Sequence, residues 1–123
     1  MKLRNLLDSE PALGRLLQLP VSARMAYQLV VQFKVVEPHI RAGRDAILGL
    51  YRKYGDEKPQ PDGINVMYQV PPDKPDKIVP FQKELAELLD TDVDVQVKPI
   101  SMADLGDVRI SAADLIVLEW LLA

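Results

Sequence analysis

The stretch EPHIRAGRD, residues 37–45, gathers residue types that are often used in acid–base chemistry. It contains the only histidine of the chain, His39, together with acids and arginines. An imidazole titrates near neutral pH and could serve as a general base. A general base also needs a group that orients it and a pocket for its substrate, and the sequence identifies neither. We therefore predict a non-enzymatic protein without catalytic residues or a small-molecule substrate, in which His39→Gln leaves function unchanged.

The spacing of these charges favours one face of a helix. Glu37, Arg41 and Asp45 stand at four-residue intervals, so Arg41 can pair with an acid one turn away on either side. Arg44 and Arg52 remain as a thinner basic edge on a nearby face. Such an edge could contact an acidic protein. It is a poor nucleic-acid footprint, because no aromatic residues interleave with it, and we do not expect nucleic-acid binding.

A second acidic group, in DTDVDV, resembles the start of a calcium-binding loop. Asp90, Asp92 and Asp94 alternate as calcium ligands do, but the glycine at the sixth position and the closing glutamate of such a loop are missing. The chain also has no cysteine, which excludes thiolate metal sites and disulfides. We predict no metal or other cofactor. Instead, the alternation predicts a strand that exposes Asp92 and Asp94 to solvent.

Length and composition favour one domain over residues 1–123, because 123 residues with 48% hydrophobic content can form a single core. No run of eighteen apolar residues occurs, so we expect no membrane span. Acids and a proline interrupt the apolar run at the N-terminus, and we expect no export signal.

The net charge of −3 hides an asymmetry between the two halves of the chain. Residues 1–55 contain nine Lys or Arg and four Asp or Glu, whereas residues 56–123 contain six and fourteen. Oppositely charged halves can attract each other within one domain or stack head to tail between copies. A basic surface for an acidic partner is the other interpretation.

The N-terminal half is predicted to be helical. Asp8 or Ser9 can cap a short helix that stops near Pro20. A long helix should follow from Ser22 to Tyr54, with a kink or a junction at the internal proline and with Gly55 at its C′ position. Apolar residues recur along it at three- and four-residue steps, and they are Ala26, Leu29, Val30, Phe33, Val36, Ile40, Ile47, Leu50, Tyr51 and Tyr54.

The C-terminal half reads as a mixture of elements. GDEKPQPDG and PPDKPDK are predicted to be connecting loops on either side of a strand over 64–70. A helix should begin near Val79, and Val93–Val97 gives the clearest strand pattern. The fold class that follows is α+β, predominantly helical, with one long, Pro-kinked helix and a small β element near the C-terminal end.

A last helix is predicted from Ser111, which begins a capping box, to the end of the chain. Its side chains are apolar almost all the way round, so the helix should be buried. It is either the centre of the chain's own core or a contact with another subunit. The residues predicted for such an interface, with Trp120 as the anchor and together with the basic edge, are Arg44, Arg52, Leu115, Leu118, Trp120 and Leu121.

The order of these elements resembles a family of small uncharacterised proteins encoded by tailed bacteriophages. The resemblance runs from Ser22 onward, through LYRKYGDE, FQKELAELLDTDVDVQVKPI and DLGDVRISAADLIVLEWLL. It implies a helical N-terminal part and a small α+β C-terminal part, and it implies no catalytic residues. Phage proteins of this size are commonly virion components, assembly factors or inhibitors of host proteins.

Two functions are therefore expected. The first is a non-enzymatic phage structural or virion-assembly protein whose partners are copies of itself or other phage structural proteins. The alternative is a host-directed binding protein, such as an inhibitor of a bacterial defence system, that uses its acidic C-terminal half as a decoy surface. Either would place the chain in the virion or the host cytoplasm.

Overall fold

The computed structural model describes residues 1–59, 61 and 66–123 of the chain. The predicted fold class is confirmed: the protein is α+β and mostly helical, with one long helix and a small two-stranded antiparallel sheet. The described elements, in chain order, are α1 (Leu3–Asp8), α2 (Glu10–Leu17), α3 (Ala23–Tyr54), β1 (Asp56–Pro59), β2 (Val66–Gln69), α4 (Pro75–Leu89), a 3₁₀ turn (Met102–Leu105) and α5 (Ala112–Val117).

The chain divides into two compact units, and the single domain over residues 1–123 stays a prediction. The first unit contains residues 1–41 and 92–123, and the second contains residues 42–91. Helix α3 contributes residues to both units. Its 32 residues span about 48 Å at 1.5 Å per residue.

The first unit begins with two short helices where one was predicted. Ser9 lies between α1 and α2 with a helical backbone conformation, and its hydroxyl donates a hydrogen bond of 2.7 Å to the carbonyl of Leu6. Helix α2 therefore begins where the predicted cap lies, but the Ser9 side chain closes the end of α1 and does not cap α2. The sequence did not predict α1, because a helix of six residues is too short to show a helical period.

Helix α3 begins as predicted, because the Ser22 hydroxyl accepts a hydrogen bond of 3.2 Å from the backbone N–H of Met25. It continues through Pro38 as one helix. Only some of its predicted apolar positions are buried. Leu29, Val36 and Ile40 are buried, as the periodicity predicts, whereas Val30 is exposed.

Gly55 ends α3 by close approach of the chain to itself. Its N–H donates to the carbonyl of Tyr51 at 2.7 Å. A Cβ atom at this position would clash with that carbonyl oxygen and lie 3.2 Å from the backbone nitrogen of Gln69. A glycine is therefore required at this C′ position because a side chain would not fit there. The requirement does not come from a positive φ angle, which Gly55 does not adopt.

In the second unit β1 and β2 pair antiparallel, with Asp56 opposite Gln69 and Lys58 opposite Met67. The prediction that residues 55–63 form only a loop is wrong for Asp56–Pro59. Charged residues and proline argued against a strand, yet edge strands tolerate both because one side of the strand has no partner. Val66–Gln69 confirms the middle of the predicted strand over 64–70, whose first two residues lie outside the described residues.

Helix α4 provides the buried aromatic residue of the second unit. It begins at Pro75, so the prediction of a loop there and a start near Val79 is wrong by one turn. A proline fits the first turn of a helix because that turn needs no N–H partner. Phe81 is buried, with its ring centroid 5.0 Å from that of Tyr51 and 6.4 Å from that of Tyr54.

The predicted strand at Val93–Val97 is wrong, although its alternation is right. The valines are half-buried and pack on the core, while Asp92 and Asp94 are exposed. The segment forms no ladder: the residues in isolated bridges are Asp92, opposite Lys2, and Ile100, opposite Leu122. The pattern showed which side chains are inside, but a strand also needs a neighbour along its length.

The core of the first unit joins the N-terminal and C-terminal parts of the chain. Residues 1–41 contain six Lys or Arg and three Asp or Glu, and residues 92–123 contain two and six. Oppositely charged segments thus lie in one unit. The buried apolar side chains of its core are Leu6, Ala12, Leu13, Leu16, Met25, Leu29, Val36, Ile40, Ile100, Leu105, Leu118 and Leu121.

Candidate functional site

Helix α5 starts at a cap and an ion pair that the sequence partly predicts. The Ser111 hydroxyl accepts a hydrogen bond of 3.1 Å from the N–H of Asp114, as the capping pattern indicates. The Asp114 carboxylate also accepts two hydrogen bonds from the Arg15 guanidinium, at 2.6 and 2.8 Å. These bonds hold the pKa of Asp114 below its ordinary value, although burial acts against them. Helix α5 is therefore attached to α2.

The prediction of a helix from Ser111 to the C-terminus is wrong beyond Val117. Residues 118–121 form a hydrogen-bonded turn, in which the N–H of Leu121 donates to the carbonyl of Leu118 at 2.9 Å. The turn brings the last residues to Ile100, whose N–H donates to the carbonyl of Leu121 at 2.7 Å and whose carbonyl accepts from Ala123 at 2.8 Å. These non-local bonds replace the last turns of the predicted helix.

This turn separates the predicted interface residues into two groups. Leu118 has an exposed fraction of 0%, and Leu121 is also buried in the core of the first unit. They cannot contact another chain while that core is intact, so their assignment to an interface is corrected to the core. Leu115 and Trp120 are half-buried and keep part of their surface accessible.

The predicted basic edge belongs to the other unit. Arg44 and Arg52 are exposed residues of α3 in the second unit, while Trp120 is in the first. The guanidinium carbon of Arg52 lies 6.0 Å from the ring centroid of Tyr68, a cation–π distance. Arg52 therefore already has a contact within its own unit.

Trp120 lies in a groove of about 340 Å³ in the first unit. Ile116 dominates its apolar surface, because 70% of that side chain is exposed. Two exposed acids, Asp8 and Glu119, also line the groove. We call this the Trp120 groove, and its lining residues are Met1, Asn5, Asp8, Ile116, Val117, Glu119 and Trp120.

The indole nitrogen of Trp120 has an unusual environment. Its Nε1 atom is buried, and none of the described residues accepts a hydrogen bond from it. A buried donor without an acceptor costs about 1–3 kcal/mol. The position of the ring is therefore determined by packing, not by a polar contact.

Sequence reasoning identified Trp120 but missed the rest of the groove. Ile116 was treated as one more apolar residue of a helix that is buried all round. Asp114 and Leu118 point inward, and Ile116 stands two residues from each. Two helical residues correspond to about 200° of rotation at 3.6 residues per turn, so Ile116 faces outward when 114 and 118 face inward. That inward face is seen in the structure and could not be inferred from the residue types. The contribution of α1 could not be seen, because it depends on tertiary packing.

A second groove, of about 420 Å³, lies between α2 and α5. We call it the Arg15 groove. Arg15 and Asp114 line it as an ion pair, the buried side chains of Leu16 and Leu118 lie against it, and the lining residue Arg109 is exposed. Arg15 and Asp114 satisfy each other's charge, so this ion pair attaches α5 to α2 and leaves no charge in the pair for a ligand.

The residues that suggested acid–base or metal chemistry are half-buried or exposed. Arg41 pairs with Glu37 one helical turn away, as predicted, and His39 lies half-buried nearby on α3. Within residues 1–59, 61 and 66–123, no three His, Asp or Glu side chains are grouped so that they could hold a metal ion. Asp92 and Asp94 are exposed, as predicted, and Asp94 accepts a hydrogen bond from Gln96 at 2.9 Å.

Helix α3 has an exposed apolar strip in the first unit. Tyr27 is 71% exposed, and Val30 and Val31, one turn further along, are also exposed. Arg24 and Lys34 stand at the two ends of this row, three residues from Tyr27 and from Val31 respectively. We call these five residues the α3 strip. Exposed apolar side chains that adjoin one another on a helix are typical of a contact surface.

No protein family, curated protein or solved structure that we compared matches the chain. The resemblance to phage proteins stays a prediction. None of the helices in the described part of the chain is both long enough and apolar enough to span a membrane.

Proposed function

We propose that the chain is a non-enzymatic protein that acts through protein–protein contacts, as a structural component or assembly factor of a phage particle. The observation that carries this proposal is the Trp120 groove, in which Ile116 and Trp120 offer apolar surface beside Asp8 and Glu119. An aromatic anchor with an aliphatic neighbour and a polar rim is the usual composition of an energetically important protein contact.

The groove suits a side chain from another protein. Ile116 is largely exposed although it is a large aliphatic residue, and covering it with a partner would remove apolar surface from water. Trp120 could add a large contact area, because aromatic residues bury more surface than other side chains. The acids on the rim would favour a partner with basic residues next to its apolar ones.

The phage setting of the proposal rests on the resemblance of residues 22–123 to small phage proteins. In that setting the chain would act in the virion or in the host cytoplasm, and its partners would be copies of itself or other structural proteins. The protein would act through these contacts alone, without a small-molecule substrate or a cofactor.

The test compares phage that encode wild-type chain, Ile116→Lys or Met102→Glu. Met102 is the matched control, because it is an exposed apolar residue of the first unit outside the Trp120 groove. We expect mass spectrometry to detect the wild-type chain in purified particles or assembly intermediates. Ile116→Lys should lower the titre of infectious particles at least tenfold, and Met102→Glu should not. Equal titres for all three, or a chain absent from particles and intermediates, would contradict the proposal.

One observation favours the alternative function, a host-directed binding protein. Four exposed aspartates lie within a stretch of sixteen residues whose only basic residue is Lys98, and they are Asp92, Asp94, Asp104 and Asp107. This acidic stretch could bind a basic host protein. Light scattering on the purified chain separates the two functions, because a ring or a higher oligomer supports assembly, whereas a monomer or a dimer supports the host-directed function.

A further inference from the structure

The Trp120 groove and the α3 strip have complementary charge and similar apolar character. The groove is lined by Ile116 and by two acids, Asp8 and Glu119. Along the strip, apolar residues with Tyr27 at their centre are flanked by the cations Arg24 and Lys34. Both surfaces belong to the first unit.

These charges are available for a contact with another molecule. Arg24 and Lys34 are exposed and form no salt bridge with any residue that the structure describes. Asp8 and Glu119 are likewise exposed and unpaired in that part of the chain. These four side chains therefore keep their charges for a partner of the opposite sign.

The dimensions of the strip also suit a short contact. Arg24 and Lys34 are ten residues apart, which is about 15 Å along a helix axis at 1.5 Å per residue. Tyr27 and the two valines lie between them, so the apolar centre of the strip has a cation at each end. This is the chemistry that an apolar groove with acids on its rim should recognise.

We propose, on the basis of the function proposed above, that the α3 strip of one copy occupies the Trp120 groove of the next copy. The contact joins two different surfaces, so in a pair of copies one keeps a free strip and the other a free groove for a further neighbour. Such head-to-tail contacts produce a closed ring or an open filament.

The charges argue against the two symmetric arrangements. A groove against a groove would place Asp8 and Glu119 opposite their own copies, and a strip against a strip would do the same with Arg24 and Lys34. Like charges that face each other across an interface are destabilising. Of the three arrangements, only the groove-to-strip contact brings acids against bases.

The experiment uses two variants, each blocked on one surface. Val31→Glu blocks the strip and leaves the groove intact, while Ile116→Lys blocks the groove and leaves the strip intact. Both positions are exposed, and circular dichroism of each variant should match the wild type. Sedimentation velocity should show that the wild type associates beyond a dimer with rising concentration, and that each variant alone associates at least tenfold more weakly.

An equimolar mixture of the two variants has one intact groove and one intact strip. It should form a heterodimer of twice 13.8 kDa and stop at that size, because no further surface is free. Mixing Val31→Glu with Met102→Glu should instead give limited growth at the ends of longer assemblies. As a second test, Lys34→Glu and Glu119→Lys should each weaken association, and their mixture should recover it at least partly.

Three results would overturn the inference. A mixture that stays monomeric would mean that the intact groove of one variant does not bind the intact strip of the other. Association of Val31→Glu at wild-type strength would exclude the strip. A wild-type chain that remains monomeric at millimolar concentration would exclude a second copy as the occupant. In each case the titre and particle analysis of Ile116→Lys still decides separately whether the groove serves assembly.

Discussion

Replacing Leu118 with alanine should strongly destabilise the first unit. The side chain is fully buried in the core of that unit. Removing its three outer carbons forfeits about 2.5 kcal/mol of transfer free energy, at roughly 0.8 kcal/mol for each. The void that remains adds to this, so that buried Leu→Ala changes cost about 2–5 kcal/mol in total.

The surroundings of Leu118 place the expected loss within that range. Leu118 also lines the Arg15 groove, so the void would join an existing opening and would not form a closed cavity. The penalty for an empty cavity should then be small, and we expect a loss of about 3 kcal/mol in the free energy of unfolding. For a chain of this length that corresponds to a melting temperature lowered by about 10 °C.

Ile116→Ala is the matched control, because it removes the same number of carbons two residues away. Since 70% of Ile116 is exposed, its loss should stay below about 1 kcal/mol. Trp120 is the only tryptophan and belongs to the first unit, so its fluorescence during urea denaturation reports on that unit. Measurements at several protein concentrations separate folding from association.

Equal losses for the two variants would refute the assignment of Leu118 to the core. So would a loss for Leu118→Ala that appears only at concentrations where the chain associates. That second result would restore Leu118 to an intermolecular interface, as the sequence pattern predicted.

Three further changes test other contacts. Asp114→Asn should lower the melting temperature at pH 7, and the difference from the wild type should shrink below pH 4. Arg15 lowers the pKa of this carboxyl from its ordinary 3.8, so the pair's contribution is complete above that value and is lost as the pH falls through the lower folded value; a constant difference down to pH 2 would contradict this. Trp120→Phe removes a buried N–H without an acceptor, so urea denaturation followed by circular dichroism should show a change within about 1 kcal/mol, and a much larger loss would reveal a polar partner. Gly55→Ala should destabilise the second unit by about 1–3 kcal/mol, because its Cβ would clash with the Tyr51 carbonyl, and an unchanged thermal melt by circular dichroism would show that the turn can adjust.

The sequence alone determined the features that depend on neighbouring residues. Ser22 as the start of α3, Gly55 as its end and Ser111 as the cap of α5 were all predicted, because each rests on contacts within a few residues. The mostly helical α+β class follows from the same local signals. Alternating burial over 93–98 was also predicted, since it depends only on which side chains are apolar.

Two of the elements that the sequence placed wrongly depend on pairing with another segment. Val93–Val97 has the pattern of a strand, but no neighbouring strand lies along it. Asp56–Pro59 lacks the pattern and is a strand, because β2 lies beside it. Pairing is a property of two segments, so the sequence of one cannot decide it.

The candidate site shows the same division between local and tertiary information. Trp120 was identified from its residue type, which is one of those enriched at the energetically important positions of protein interfaces. Only the tertiary structure decided that the chain turns after Val117, so that Leu118 and Leu121 enter the core while Ile116 is exposed beside Asp8 of α1. Backbone bonds to Ile100 turn the chain there, and a helical pattern read along one segment contains no information about bonds to a residue so far away in sequence.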